Sequence, residues 1–279
     1  MDHFNFNGRI YPSATPVIGV SSRGLRYGDG LFETIRLVNG KLILSDAHFA
    51  RLWKGLGLLK FDLPQHFTIN SLQEQIMGLA KKNGHNSAAR IRLTVFRSEG
   101  GIFDPKDNRP NYVIETWPLA TDNLSLNSNG LVLGICPFIK KSKDLFSNIK
   151  HNNYLPYAMA AMHAKDNKWN DAIVLNTDDR IADTCIANLF IIKDGKLFTP
   201  PLSEGCVAGV IREDLLKQLN KMGFATMERE ITVEQLHDAD EVFLTNSIYG
   251  MRWVKEIGHK NYGCDLTPKI YAAILPTIS

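Results

Sequence analysis

The amino-acid sequence predicts an α+β protein of two domains. Its 279 residues are enough for two ordinary domains, and 44% hydrophobic and 22% charged residues are typical of a globular chain. Strand-like and helix-like segments are mixed without a repeating strand–helix–strand order, which favours α+β over a parallel α/β sheet. A polar run after Trp117 predicts a linker at residues 118–124 between a smaller domain, residues 1–117, and a larger one, residues 125–279.

The smaller domain is predicted to place two helices among its strands. Leu31–Val38 has the composition of a strand, and Asn39-Gly40 is a favoured hairpin turn before a second strand at Lys41–Leu44. Ser45 or Asp46 then supplies the N-cap of a helix. The remaining predicted elements are an amphipathic helix at Ile69–Lys82 and strands at Ala89–Phe96 and Tyr112–Trp117.

The larger domain is predicted to surround two helices with further strands. Asp194-Gly195 is a second two-residue hairpin signal, and it joins strands at Ala187–Ile192 and Lys196–Thr199. The other predicted elements are strands at Leu131–Ile135, Asp171–Leu175 and Glu241–Leu244 and helices at Tyr154–Asn167 and Val210–Met222.

Composition and charge exclude several classes of protein. A formal charge of +3, from 32 Lys and Arg against 29 Asp and Glu, is too small to predict binding to nucleic acid or to a membrane surface. The four cysteines form no C-x-x-C pair, so we predict no metal site and no disulfide framework. The N-terminal residues lack the apolar core of a signal peptide, and no stretch approaches the roughly 18 apolar residues of a membrane span. We therefore predict a cytoplasmic protein.

One predicted strand carries two arginines on the same face. The alternation of Arg90–Val95 places Arg90, Arg92 and Thr94 on one side and apolar side chains on the other. This pattern is typical of a solvated outer face. It also suits a wall that binds anions, because guanidinium groups match carboxylates. The sequence leaves both interpretations open.

Three further segments could carry chemistry. Ala208–Ile211 opens a predicted helix, where free backbone N–H groups and the helix dipole suit a phosphate. Thr245-Asn246-Ser247 follows an apolar run, and its donors could form a second phosphate cradle or a plain turn. Lys150 lies among polar amides and would be chemically special only if it were desolvated and positioned.

Read together, these segments resemble the class IV, fold-type IV aminotransferases that use pyridoxal 5'-phosphate (PLP). That family includes branched-chain and D-amino acid aminotransferases and aminodeoxychorismate lyases. The resemblance extends from about Asn7 to Val254 and implies a two-domain fold similar to D-amino acid aminotransferase, with the active site between domains, and a homodimer. It rests on six motifs in family order: Arg26–Thr34, His48–Leu52, Lys150–Asn153, Asp183–Phe190, Gly209–Arg212 and Thr245–Ser247.

The resemblance implies that two residues act on the reactive part of PLP. Lys150 matches the lysine that binds PLP covalently and later moves the proton at the substrate α-carbon. Asp183 occurs where the family usually has Glu, which pairs with the pyridine nitrogen and keeps it protonated. Because Asp is one methylene shorter, either the backbone moves closer or a water bridges the two groups.

The resemblance also implies a set of phosphate ligands. Arg51, one helical turn after His48, matches the phosphate-binding arginine of the family. Val210 and Ile211 would bind the phosphate through their backbone N–H groups. Asn246 and Ser247 would complete this cradle.

Four positions match substrate-facing residues of the family: Tyr27, Phe32, Glu33 and Arg92. Of these, Arg92 would bind a substrate carboxylate. The family has a further carboxylate-binding arginine in the loop after this strand, and it would fall near Ile102, where this sequence lacks it. Arg90 or Arg97 could replace it.

The reaction implied by the resemblance is transfer of an amino group from an amino acid, such as a branched-chain one, to a 2-oxo acid. The alternative is aminodeoxychorismate lyase, which forms 4-aminobenzoate and pyruvate. The Lys150-x-x-Asn153 spacing is similar to lyases and D-amino acid aminotransferases, whereas Glu33 is similar to aminotransferases. A non-catalytic scaffold of the same fold is a third hypothesis, which the presence of Lys150 and Arg51 disfavours. The amino donor and its stereochemistry stay open.

Overall fold

The structure, a computed structural model, describes residues 2–120 and 125–278. By their internal contacts, the described residues group into two compact units, Met1–Asp122 with Ile149–Asn153, and Asn123–Asn148 with Tyr154–Ser279. The short segment Ile149–Asn153 thus belongs to the first unit, although the chain on both sides of it belongs to the second. Of the predicted linker at 118–124, residues 121–124 lie outside the described part of the chain.

The first unit is a six-stranded antiparallel sheet with two long helices packed on one face. The strand order is β2-β1-β6-β5-β3-β4. Helices α2 and α3 and the inward side chains of the sheet share one hydrophobic core, which includes Phe49, Leu52, Ile76 and Leu93. The elements of this unit are β1 (His3–Phe6), β2 (Arg9–Pro12), α1 (Arg23–Tyr27), β3 (Gly30–Val38), β4 (Lys41–Leu42), α2 (Ser45–Leu58), α3 (Ile69–Lys82), β5 (Ala88–Arg97) and β6 (Pro110–Pro118).

Local sequence explains most boundaries of the first unit. Asn39 and Gly40 both have positive φ, as a type I′ hairpin requires, and α3 has the predicted bounds. The predicted cap of α2 by Ser45 or Asp46 is wrong. The N-cap is Leu44 at a φ of 50°, without a side-chain hydrogen bond, because the chain leaves the hairpin in a left-handed turn that starts the helix directly at Ser45. Asp46 lies in the first turn, where its charge favours the helix dipole.

The second unit is built on a nine-stranded mixed sheet. The strand order is β12-β11-β10-β13-β14-β7-β8-β9, and β15 pairs with β14 outside this path. Its strands are β7 (Leu131–Lys141), β8 (Asp171–Asn176), β9 (Ile181–Thr184), β10 (Asn188–Lys193), β11 (Lys196–Thr199), β12 (Thr226–Glu228), β13 (Glu241–Asn246), β14 (Gly250–Ile257) and β15 (Lys260–Asn261). Its helices are α4 (Leu155–Asp166), α5 (Val210–Lys221), α6 (Val233–Asp238) and α7 (Thr267–Ile278), with a short 3-10 turn at Leu202–Glu204.

Strand β8 separates two apolar clusters in the second unit. Ile173 and Leu175 join one cluster, whereas Ala172 and Val174 join the cluster that contains residues of α4. All six residues of β8 are buried, as expected for a strand covered on both faces. The next strand, β9, contains an irregularity in its pairing with β8. Val174 lies opposite Asp183 and Leu175 opposite Ile181, so Ala182 is an extra residue.

The predicted α+β class is confirmed. The sequence analysis did not predict β1, β2, α1 or several late elements, although Asn7-Gly8 is itself a hairpin signal and both residues have positive φ. No helix among the described residues combines the length and the apolar character that crossing a membrane requires.

Candidate active site

The segment that carries Lys150 is held against the start of β3. The backbone N–H of Phe32 donates to the carbonyl of Lys150 at 2.8 Å, and Asn152 donates to the carbonyl of Gly30 at 2.9 Å. The Asn152 side chain also donates to the carbonyl of Val95 at 3.0 Å. A Cβ on Gly30 would lie 2.1 Å from that carbonyl oxygen, so only glycine permits this approach. These bonds fix the backbone of Lys150.

Three predicted site residues meet at one aromatic ring. The Nζ atom of Lys150 lies 4.5 Å from the ring centroid of Phe32, and the guanidinium carbon of Arg92 lies 3.9 Å from the same centroid. Both distances are within the range of cation–π attraction. The structure therefore brings Phe32, Lys150 and Arg92 together within the first unit.

A cavity of about 490 Å³ opens on the face of this sheet that carries Arg92 and Thr94. Glu115 lies directly opposite Arg92 in the strand pairing and also lines the cavity. Burial raises the pKa of the Glu115 carboxyl, an effect that the charges of Arg92 and Arg90 oppose. Asn152 borders the cavity too, and its Oδ1 atom has no hydrogen-bond partner among the described residues. The cavity thus combines charged and hydrogen-bonding groups with apolar walls formed by Phe4, Val17, Ile18, Leu25, Phe96 and Val113.

Glu33 points to the opposite face of the sheet, toward α2. Its carboxylate accepts hydrogen bonds from Arg51 at 2.8 and 2.6 Å and contacts Nδ1 of His48 at 2.7 Å. The side chains of Glu33 and His48 are each only 1% exposed. Glu33 was predicted among the substrate-facing residues. In the structure, its visible partners are the arginine and the histidine of the His48–Leu52 motif.

The pKa values of this cluster follow from burial and charge. Burial alone would raise the pKa of Glu33, but the charge of Arg51 and the hydrogen bonds from His48 and Arg51 lower it to about 2. Burial lowers the pKa of His48, although the bond to Glu33 acts in the opposite direction. Glu33 is therefore an ionised carboxylate that orients the guanidinium of Arg51.

The two arginines considered as substitutes near Ile102 have other surroundings. Arg97 donates to Asp29 at 3.0 Å and to Asn108 at 2.8 Å, and it also donates to two backbone carbonyls of the first unit. Arg90 is exposed, and its guanidinium carbon lies 5.2 Å from the centroid of Trp117. Arg97 is buried and held in place by these bonds, so it is not available to replace the missing arginine.

Tyr27, at the end of α1, is more exposed than the other predicted substrate residues. Tyr27 is 41% exposed, and its ring lies 5.2 Å from the guanidinium carbon of Arg23. Among the described residues, Tyr27 does not belong to the lining of the cavity.

In the second unit, Asp183 is buried in a polar pocket of the core. The hydroxyl of Tyr157 lies 3.0 Å from Oδ1 and 2.9 Å from Oδ2 of Asp183, and the backbone N–H of Val207 donates to Oδ2 at 3.0 Å. Tyr157 comes from α4 and is 3% exposed. Sequence reasoning missed Tyr157, because nothing in the local pattern of α4 distinguishes it from a core aromatic residue.

The start of α5 is a second candidate anion site in this unit. Gly209 is its N-cap and has no side chain that could accept the first N–H groups of the helix, which include those of Val210 and Ile211. A Cβ on Gly209 would lie 1.9 Å from Oδ1 of Asn188. Asn188 pairs in turn with Thr245 of β13. The Thr245 hydroxyl is buried and has no hydrogen-bond partner among the described residues.

These observations fit a bound phosphate. A helix start without a side-chain cap, a backbone approach that only glycine permits and a buried hydroxyl without a partner are features of an anion cradle. The sequence predicts Thr245-Asn246-Ser247 as a phosphate cradle or a plain turn, and the resemblance assigns Asn246 and Ser247, but not Thr245, to the phosphate. The side-chain oxygen of Asn246 accepts from the backbone N–H groups of Ile248 and Tyr249 at 3.0 and 2.9 Å, so it closes the turn after β13.

Comparisons with known proteins identify the family to which this chain belongs. The family model described as amino-transferase class IV matches residues 30–257. An aminodeoxychorismate lyase of Vibrio harveyi is 31% identical over 242 residues, covering 86% of this chain and 87% of that protein.

Two solved structures have the same fold. A branched-chain aminotransferase of the archaeon Thermoproteus uzoniensis, solved with norvaline, has a TM-score of 0.87 at 25% identity and covers 99% of this chain and 95% of that one. A 4-amino-4-deoxychorismate lyase of Pseudomonas aeruginosa has a TM-score of 0.84 at 27% identity and covers 97% of each chain.

The chain belongs to the class IV aminotransferase family. It is accordingly a PLP enzyme of that class, an aminotransferase or an aminodeoxychorismate lyase, and its fold is that of fold-type IV. The resemblance drawn from the six sequence motifs is thereby confirmed.

Proposed function

We propose that this chain binds PLP through Lys150 and transfers an amino group from a carboxylate-bearing amino acid to a 2-oxo acid. The observation that carries the proposal is the Phe32 ring, against which the Lys150 amine lies at 4.5 Å and the Arg92 guanidinium at 3.9 Å. A nucleophilic amine and a carboxylate-binding group beside one ring suit a substrate that carries a carboxylate next to its reacting carbon.

The residues of the chain have distinct roles in this proposal. PLP, when bound, supplies a ring that takes up the electrons released at the substrate α-carbon. Lys150 would hold the cofactor and then carry the proton to and from that carbon. Asp183 would accept a hydrogen bond from the ring nitrogen and stabilise its protonated form.

The phosphate of PLP would bind to the candidate anion-binding groups of the chain. We assign it to Arg51, whose guanidinium Glu33 orients, and to the backbone N–H groups of Val210 and Ile211. Asn246 and Ser247 complete the set in this proposal. The buried Thr245 hydroxyl, which lacks a partner among the described residues, supports adding Thr245 to it.

Aminodeoxychorismate lyase is the second candidate function. It is favoured by the 31% identity to the Vibrio harveyi lyase, which extends over most of both chains. A polar cavity wall with Arg92 and Glu115 is also compatible with a substrate that has more polar groups than an aliphatic amino acid. The two reactions use the same cofactor and the same lysine, so these residues do not separate them.

An assay of both reactions on one preparation separates the two candidates. The PLP-loaded protein is given a panel of L- and D-amino acids with 2-oxoglutarate or pyruvate, and in parallel aminodeoxychorismate. Formation of a new amino acid supports the aminotransferase, whereas release of 4-aminobenzoate and pyruvate without amino transfer supports the lyase. Turnover of neither substrate class would contradict both.

Replacement of Lys150 tests the role common to both reactions. Lys150→Ala is expected to lose the visible absorption band of the bound cofactor and to reduce turnover by at least about 10²–10⁴, the usual contribution of a positioned general base. Lys140→Ala is the matched control, because Lys140 forms an ion pair with Asp179 at the surface. Near-normal turnover by Lys150→Ala, with the control also active, would show that another lysine holds the cofactor.

A further inference from the structure

We propose that Tyr157 is a positioning residue that keeps Asp183 ionised and oriented toward the ring nitrogen of PLP. The inference rests on the role assigned to Asp183 in the proposed function. It concerns a residue of α4 that belongs to none of the six motifs.

The geometry of the pair is close to symmetrical. The Tyr157 hydroxyl lies 3.0 Å from Oδ1 and 2.9 Å from Oδ2 of Asp183, so it can donate to either carboxylate oxygen. The backbone N–H of Val207 donates to Oδ2 at 3.0 Å. Tyr157 and Asp183 are 3% and 2% exposed. Water therefore contributes little to the solvation of this carboxylate, and the donors of the protein replace it.

Loss of the hydroxyl would favour the neutral acid. A buried carboxyl group that loses one of its donors takes up a proton more readily, because burial disfavours the charged form. A neutral Asp183 could no longer stabilise a proton on the pyridine nitrogen, and the ring would then be a weaker acceptor of electrons.

The titratable groups beside the pair are Lys141, Tyr154, Cys185 and Cys206, and the interaction of Lys141 with Asp183 favours the charged form of both groups. Lys141 of β7 has its Nζ atom 5.3 Å from the Tyr157 ring centroid and donates to the carbonyl of Ser147 at 2.9 Å. Burial lowers the pKa of Lys141, whereas the charge of Asp183 raises it. Tyr154 and Cys206 also border the pair. Burial raises the pKa of Cys206 to about 12, so its thiol stays neutral.

The backbone of β9 determines the side of the strand on which the Asp183 carboxylate lies. The extra residue Ala182 reverses the alternation of the strand, so Asp183 lies opposite Val174 on the side that faces α4, while Ile181 faces the other cluster. Asp has one methylene less than the Glu expected from the resemblance, and therefore one rotatable bond fewer. The orientation of its carboxylate depends more strongly on the backbone and on neighbouring donors. The bulge and the tyrosine together determine where the carboxylate points.

Nitrogen-15 NMR of PLP labelled at the ring nitrogen tests the inference directly, because its chemical shift reports protonation of that nitrogen. The wild-type holoenzyme is expected to show a protonated nitrogen. Tyr157→Phe, which removes only the hydroxyl, is expected to shift the resonance toward the unprotonated value. It should also weaken PLP affinity and lower kcat by about tenfold or more, as the loss of a hydrogen bond to a charged group predicts.

Three further variants make the test specific. Tyr262→Phe is the matched control: Tyr262 is also buried in the second unit, and its hydroxyl donates to the carbonyl of Leu236 at 3.0 Å, away from Asp183. It should leave the resonance unchanged. Tyr157→His keeps an N–H donor and should retain part of the protonation of the ring nitrogen. This variant also tests the inference if Tyr157→Phe does not fold. Asp183→Asn should give the fully unprotonated nitrogen.

The outcomes separate the inference from the function on which it rests. If Asp183→Asn leaves the resonance unchanged, Asp183 is not the partner of the ring nitrogen, and the proposed cofactor role fails. If Asp183→Asn changes the resonance and Tyr157→Phe does not, only the inference about Tyr157 is overturned. A shift in Tyr157→Phe that also occurs in Tyr262→Phe would likewise overturn it.

Discussion

At the scale of single residues, two arginines on one strand face have different surroundings. Arg92 lies against the Phe32 ring and lines the cavity, where Glu115 is opposite. Arg90, two positions earlier, is exposed and stacks near Trp117. The interpretation as a solvated face therefore applies to Arg90, whereas Arg92 borders a cavity, so Arg90 is a suitable control for a test of Arg92.

Arg92→Leu is expected to raise KM for the carboxylate substrate by at least tenfold. The physical reason is the loss of one charged hydrogen-bonded pair, worth about 1.5–3 kcal/mol. PLP affinity should change little, because other groups are assigned to the cofactor phosphate. Steady-state kinetics on the substrate identified by the panel provide the measurement. Arg90→Leu is the control, with KM near that of the wild type. Equal KM values for Arg92→Leu and wild type would exclude the carboxylate role.

At the scale of elements, a buried ion pair connects β3 with α2. Glu33 of the strand accepts from Arg51 and contacts His48, both from the helix. Burial alone would raise the pKa of Glu33, but the charge of Arg51 and the hydrogen bonds from His48 and Arg51 outweigh it and lower the pKa from 4.5 to about 2. Because the folded-state value is below the unfolded one, ionised Glu33 stabilises the fold above about pH 4.5, and this stabilisation is lost as the pH falls toward 2.

Glu33→Gln is therefore expected to have a lower midpoint of thermal unfolding than the wild type at pH 7. Most of this difference in midpoint should disappear at acidic pH. The lowered pKa of Glu33 corresponds to a contribution of about 3 kcal/mol to the free energy of unfolding at neutral pH. Thermal unfolding of both proteins, followed by circular dichroism from pH 7 to pH 2.5, measures the difference. Glu99→Gln is the control, because Glu99 is half-exposed at the surface, where it pairs with Lys106 at 3.5 Å. A difference for Glu33→Gln that is independent of pH would contradict the ionised pair.

At the scale of the whole molecule, the resemblance predicts a homodimer. The second unit exposes several large apolar side chains that would be better covered than solvated: Phe138, Leu145, Leu155 and Met162, between 57% and 69% exposed. Sedimentation equilibrium of the PLP-loaded protein is expected to give twice the mass of the chain at micromolar concentration. A mass of one chain throughout the accessible range would contradict this prediction.

The sequence by itself determined the local features of the protein. Asn39-Gly40 and Asp194-Gly195 are hairpin turns in the structure, because few other dipeptides adopt positive φ at both positions so readily. The bounds of α3 and the two faces of β5 also follow from residues close together in the chain. The six motifs identified the family, since their order along the chain is itself part of the sequence.

Only the tertiary structure decided what each polar side chain contacts. Alternation alone would place Asp183 on the same face as Ile181, but the extra residue Ala182 turns it toward Tyr157. The pattern around Glu33 gave no sign of a buried pair with Arg51, nor that Ile149–Asn153 would pair with β3. Local sequence specifies which residues share a face of an element. The partners on that face come from distant parts of the chain, and their burial and charge determine which groups are ionised and where they point.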